Sequence, residues 1–209
     1  MRVSTIRLSI PLGLFLALAG CSTFSSRPVE APVVRPAPTE IPENILGKGY
    51  IPPATLALFL VNANPRVDRR FAEQLAQLYV DEAALEGVNS DVAFSQMCLE
   101  TGFFRFGNLV TEDMHNYCGL GSLGAGQPGL SFPTPQLGVR AHIQHLKGYA
   151  TVEGLHQAQV DPRYRYIRYG SAPTIYALAG RWASDKEYGK KIAGILNRLY
   201  QFSATVAQR

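Results

Sequence analysis

The chain has 209 residues, 46% of them hydrophobic and 10% aromatic, and its 20 lysines and arginines outnumber 16 acids for a formal charge of +4. Arg2 and Arg7 belong to an acid-free leader, and without them that charge is halved, leaving too little positive excess for a nucleic-acid-binding surface. What remains is long enough to bury one core, so a single folded domain is expected.

The uncharged run from Leu8 to Ala19 falls short of the ~20 residues that span a bilayer, and it ends in Leu18-Ala19-Gly20-Cys21. It resembles a bacterial lipoprotein signal peptide. That resemblance implies cleavage before Cys21, lipidation of that cysteine, and, with Ser22 following, an anchor in the outer membrane of a Gram-negative bacterium, facing the periplasm. Pro28, Pro32, Pro36, Pro38 and Pro42 then mark a semi-rigid tether. The expected organisation is a signal peptide over 1–20, a lipidated cysteine and tether over 21–44, and a domain over 45–209.

The first helical pattern runs from Val67 to Glu86, with Phe71, Leu75, Leu78 and Tyr79 on one stripe and Gly87 as its stop. Asn89 or Ser90 caps the next, which closes on Glu100. That acid shares a helical face with Ala93 and Met97. It is either a buried carboxyl with a raised pKa, suited to general-acid chemistry, or a charge at a fraying end that points to water. Phe103 to Gln136 is irregular. It holds Glu112, Asp113, His115, Asn116 and Tyr117, then Gly119, Gly121, Gly124, Gly126 and Gly129, with Phe106, Leu109, Leu120, Leu130 and Phe132 as its apolar surface. Val139, Ile143, Leu146 and Ala150 repeat at helical spacing. Pro173 opens a short helix through Trp182, and Ser184-Asp-Lys-Glu187 reads as a capping box for a last helix facing inward with Tyr188, Ile192, Ile195, Leu199 and Phe202. Strand patterns are scarce, so the fold should be mainly α.

Two sharper-looking signals carry less. Gly119-Leu-Gly121-Ser-Leu-Gly124 has the spacing of a dinucleotide loop, but no strand pattern precedes it. His142 and His145 lie three apart on a helix without a third ligand nearby, and read as structural or surface histidines. No cofactor or metal is expected. Trp182 is either a core residue or a border of the cleft.

Five strings occur in one order: Gln96-Met-Cys-Leu-Glu-Thr-Gly-Phe-Phe-Arg-Phe-Gly107, Asn116-Tyr-Cys-Gly-Leu-Gly121, Ser131-Phe-Pro133, Gly138-Val-Arg-Ala-His-Ile-Gln-His-Leu-Lys147 and Gly180-Arg-Trp-Ala-Ser-Asp-Lys-Glu-Tyr188. Together they resemble the bacterial glucosaminidase family of peptidoglycan hydrolases, over roughly residues 45 to 201. The resemblance implies a lysozyme-like α domain with a cleft and a glycine-rich irregular lobe. It also implies a glycoside hydrolase that cleaves the β-1,4 bond after N-acetylglucosamine in the wall glycan, with peptidoglycan strands as its partner. A lytic transglycosylase or muramidase on a similar fold is the rival enzyme, and a non-catalytic glycan-binding envelope lipoprotein the rival of another class.

By position, Glu100 matches the family's catalytic acid. Asp113 or its neighbour Glu112 matches the second carboxylate, which would activate water in an inverting mechanism. The alternative is a one-carboxylate route in which the 2-acetamido group of the sugar attacks its own anomeric carbon. Tyr188 matches the family's tyrosine and would orient substrate or stabilise charge; otherwise it is a core residue. Asn116, Tyr117 and Phe132 are placed as substrate contacts, while His115 stands where relatives carry an asparagine. Cys98 and Cys118 remain after Cys21 is lipidated. They either pair in an oxidising compartment, stapling the catalytic helix to the loop, or stay as two buried thiols; a nucleophilic Cys98 with His142 or His145 is a distant third, since the glycosidase motifs explain the region better.

Overall fold

The central element is a helix enclosed along most of its length, and the other helices are placed by covering it. In the computed structural model, which describes residues 40–107, 109–122, 124 and 126–208, the helices are α1 (Pro53–Ala63), α2 (Arg69–Glu86), α3 (Ser90–Glu100), α4 (Pro135–Ala150) and α5 (Tyr188–Val206). The leader, Cys21 and the tether as far as residue 39 lie outside the described residues. Among those described there is no sheet, only isolated bridges. The mainly α, lysozyme-like domain expected from the sequence is what forms, and none of these helices is long and apolar enough to cross a membrane.

Residues Ser90 to Cys98 of α3 are all buried, and α2, α4 and α5 pack against it. Its start is fixed by Asn89, whose side chain accepts from the amides of Asp91 and Val92, and Gly87 ends α2 in the left-handed conformation that lets the chain turn straight into it. α1 packs on α2 and α5 and has Pro53 in its first turn. Its apolar residues Leu56, Phe59 and Leu60 face the core, yet they do not stand out as a separate stripe in so uniformly hydrophobic a segment, and the sequence pattern did not mark it.

Two expectations differ near the C-terminus. The segment after Pro173 is not an α-helix but an irregular run of turns with one 3-10 turn at Tyr176–Leu178. Its backbone is used elsewhere: Ile45 N–H donates to Pro173 O at 3.0 Å and Ile175 N–H to Glu43 O at 2.9 Å. The pairing therefore begins just ahead of Ile45. The capping box at Ser184 does not form either. Asp185 Oδ1 takes the Glu187 amide at 2.9 Å, and the helix starts at Tyr188 with no side-chain cap.

α2 and α4 are joined by buried charge. Lys147, 1% exposed, reaches Glu86 at 2.9 Å, and Glu86 also accepts the amides of His156 and Gln157. Beside it Arg140 pairs with Glu82 at 2.8 Å, and these bonds hold the Glu82 carboxyl below its usual range although burial opposes them. Replacing Lys147 by Met would leave the Glu86 charge buried without its counter-ion, a loss of about 3–5 kcal/mol. Urea unfolding of Lys147→Met should show that loss, and the double change Glu86→Gln/Lys147→Met should recover much of it.

Candidate active site

The cleft begins where α3 stops. Thr101 Oγ1 donates to Met97 O at 2.8 Å and accepts from the Phe104 amide at 3.0 Å, so one side chain both ends the helix and starts the reversal that follows. Phe103, Phe104 and Phe106 then sit at φ of 57°, 62° and 48°, in the left-handed region where each non-glycine residue costs about 1–2 kcal/mol. Aromatic packing holds them there. Phe104 lies 5.4 Å from Phe71 and 5.5 Å from Tyr117, while Phe103 lies 5.8 Å from Phe59 on α1.

Glu100 faces a cavity of about 270 Å³ lined by Thr101, Phe106, Asn116, Gly119, Ser122 and Trp182 among others. Its carboxyl is partly exposed to that cleft and otherwise enclosed. Oε1 accepts from the Trp182 indole N–H at 3.0 Å and also from the Tyr188 hydroxyl. Oε2 turns toward Gly119, where a Cβ would come within 3.9 Å of it and whose φ of 70° suits glycine. Burial raises the pKa of Glu100, the two donors pull it back, and burial wins. Of the two readings of this residue, the enclosed acid is the one observed.

The other expected site residues separate. Tyr188 is 5% exposed and its hydroxyl is occupied, donating to Glu100 and accepting from Gln96 Nε2 at 2.8 Å. Asn116 lines the cleft, but its amide is used within the loop, donating to Leu120 O and Leu130 O at 2.9 Å each and accepting the Leu120 amide at 3.0 Å. Tyr117, expected at the cleft, is instead wholly buried in the main core, because the strained turn brings Phe104 over its ring. Phe132 is likewise buried, in a second apolar cluster with Cys118, Leu120 and Ala141. Glu112 and Asp113 are exposed on a 3-10 turn, Glu112–Met114, and neither lines the cleft.

Cys98 and Cys118 are not bonded to each other. Cys98 packs in the main core and Cys118 in the second cluster, and burial pushes both thiols up, so they are poor nucleophiles. His115 adopts φ of 49° and its Nδ1–H donates to Phe132 O at 2.8 Å, so it shapes the loop. His145 Nδ1 lies 2.6 Å from Asp161, and both ring nitrogens of His142 are bonded, to Gln96 and Tyr79, so both histidines have structural roles.

Trp182 is the residue that sequence reasoning left open. It bridges the two apolar clusters, meets His145 edge to face and His142 at a tilt, and turns its only polar atom to the acid. Gln96 carried no local signal, since a glutamine inside an apolar helix shows its use only through its partners. The arrangement supplies one carboxyl with a raised pKa, held by two donors on one oxygen, at the floor of an open groove. That is the equipment of a general acid.

A family model described as mannosyl-glycoprotein endo-beta-N-acetylglucosaminidase matches residues 76–201. That span holds Glu100, Trp182 and Tyr188. The chain is also 39% identical over 159 residues to an uncharacterized protein of Borreliella burgdorferi, a match covering 76% of this chain and 78% of that one. No solved structure matches it.

An acid whose pKa is higher in the folded state than in the unfolded chain costs stability as pH rises through and above the ordinary carboxylate range. Gln at position 100 can still accept from Trp182 and Tyr188. Glu100→Gln should therefore raise the melting temperature above neutral pH, and that gain should vanish below about pH 4, where both states of the wild type are protonated. Melting curves across pH check it; a gain of equal size at every pH contradicts it.

Proposed function

The chain belongs to the glucosaminidase family of glycoside hydrolases, and from that premise we propose that it is a peptidoglycan hydrolase which cleaves the β-1,4 bond after N-acetylglucosamine. The observation that carries this reading is the placement of Glu100, an acid whose pKa burial raises and whose carboxyl is yet open to a groove. In this role its proton goes to the glycosidic oxygen, because an alkoxide is too poor a leaving group at neutral pH. We also propose the leader and tether as the means of delivery: lipid on Cys21, an outer-membrane anchor facing the periplasm, and a domain from about Ile45 held toward the wall.

Among the described residues Glu100 is the sole carboxylate lining the groove. That favours the one-carboxylate route. As Glu100 protonates the leaving oxygen, the carbonyl oxygen of the 2-acetamido group attacks the anomeric carbon and the glycosidic bond breaks, giving a cyclic oxazolinium. Water then opens that ring with Glu100, now ionised, taking its proton, and the product is a reducing N-acetylglucosamine end. Glu112 and Asp113, exposed outside the groove, have no part in this sequence. A single cleft acid also suits a lytic transglycosylase, which is the second reading.

Digestion of purified peptidoglycan by the full chain in detergent, with the ends reduced by borohydride and identified by mass spectrometry, tests it. Reduced N-acetylglucosamine ends are expected, falling about 10²–10⁴-fold in Glu100→Gln and changing little in Glu112→Gln or Asp113→Asn. Anhydromuramic ends would assign the transglycosylase reading, and binding without cleavage would assign a scaffold. Loss of activity in Asp113→Asn equal to that in Glu100→Gln would restore a two-carboxylate mechanism. Glycan stripped of its N-acetyl groups should resist the enzyme, because it lacks the nucleophile.

A further inference from the structure

Behind Glu100 the polar groups do not end at Tyr188. Gln96 Nε2 donates to the Tyr188 hydroxyl at 2.8 Å, Gln96 Oε1 lies 3.0 Å from His142 Nε2, and His142 Nδ1 lies 2.9 Å from the Tyr79 hydroxyl. Tyr79, Gln96 and His142 are each 0% exposed. The links cross four elements: α2 supplies Tyr79, α4 His142, α3 Gln96 and Glu100, and α5 Tyr188. Such a chain is costly to bury unless every member is satisfied.

The direction of each bond follows from donor and acceptor inventory. A carboxylate or amide oxygen only accepts, so Gln96 Oε1 requires a proton on His142 Nε2. Burial, and secondarily His145 nearby, lowers the His142 pKa to about 3, so the ring is neutral and Nδ1 is an acceptor. Tyr79 must then donate. The reverse arrangement would turn Tyr188 away from Glu100 and leave the Tyr79 hydrogen without an acceptor, since among the described residues its hydroxyl has no other partner.

We propose that Tyr79, His142 and Gln96 are positioning residues: a one-way series of donors that aims the Tyr188 hydroxyl at Glu100 Oε1 and so reserves Oε2, beside Gly119, for the proton delivered to substrate. The proposal rests on Glu100 being the acid. With Oε1 filled by Trp182 and Tyr188, a proton on that oxygen would displace a donor, whereas Oε2 faces the groove. The groups around the pair are few. Tyr188, Trp182 and Cys118 face Glu100, and Tyr79, Gln96, His145 and the Trp182 ring face His142.

Removing a far link should weaken the hold of Tyr188 on the carboxylate. Glu100 then ionises less readily, so the alkaline limb of the pH–rate profile moves up, while the more weakly acidic donor transfers its proton more slowly. Tyr79→Phe keeps the ring and should lower kcat about two- to tenfold with KM unchanged and the alkaline limb raised. Gln96→Leu should do the same more strongly.

The direct test uses the full chain labelled with ¹⁵N-histidine; there are 4 histidines, and His142 is assigned by its loss in His142→Gln. Long-range nitrogen–proton spectra should show His142 neutral and protonated on Nε2 from pH 5 to 8, and carboxyl ¹³C titration should show the Glu100 pKa raised in Tyr79→Phe and Gln96→Leu. A proton on Nδ1, a charged ring, or a Glu100 titration unmoved in the folded variants would overturn the proposal. These readouts need no turnover. If the wild type cleaves no glycan, the proposed function fails while the series of donors is still judged by the spectra, and the wild-type tautomer decides even where a variant does not fold.

Discussion

Enclosure of α3 is the constraint on which the cleft depends. Helices α2, α4 and α5 cover it, and Glu100 leaves its last turn where that cover opens to the cleft. The same helix carries a second buried acid at its other end, and the two are treated differently. Burial raises the pKa of Asp91 too, but its carboxylate accepts from the amides of Tyr50 and Ile51 and the hydroxyl of Tyr200, at the end where the helix dipole favours an anion. Glu100 has two donors, both on one oxygen, at the end where the dipole opposes an anion. Asp91 thereby ties the N-terminal segment to the core, while Glu100 keeps one oxygen turned toward the groove.

The groove walls follow from what happens directly after that helix. Three phenylalanines in the left-handed region store backbone strain, and the core holds them by burying Phe104 against Phe71 and Tyr117. This explains why an aromatic residue within a loop motif goes inward: Tyr117 is what the strained turn packs against. The loop beyond it is shaped by Asn116, whose amide closes three bonds to the backbone. Gly138 admits the same loop against α4, where a Cβ would stand 1.8 Å from His115 O. The irregular lobe is thus anchored at its start by aromatic burial and later by amide bonds.

The helices that alternate apolar and polar faces were legible, because period and cap are local. The start of α3 at Asn89, the stop at Gly87 and the inner face of α5 all lie within a few residues of the signal that marks them. α1 was missed because its residues are apolar with little contrast between faces. The acid itself was legible as an anomaly on a greasy face, whereas Tyr188 was marked only through the family resemblance and Trp182 was left open. Trp182 lies 82 positions from Glu100 and Tyr188 lies 88, and no spacing rule spans such gaps. The short helix expected after Pro173 failed for a similar reason, since the competing partners of that backbone sit at Glu43 and Ile45.

Tyr188 shows how a residue on an apolar stripe serves both readings at once. Its ring fills the core between α3 and α5, and its hydroxyl, which burial would otherwise strand, is satisfied by an acceptor that needs a donor. The buried polar groups behind it face the same requirement, and each meets it by bonding the next, so the interior is satisfied only if the whole series is present and oriented. Packing and proton placement are then a single condition. A fold that closes correctly around α3 delivers the carboxyl with one oxygen already bonded and the other directed to the groove.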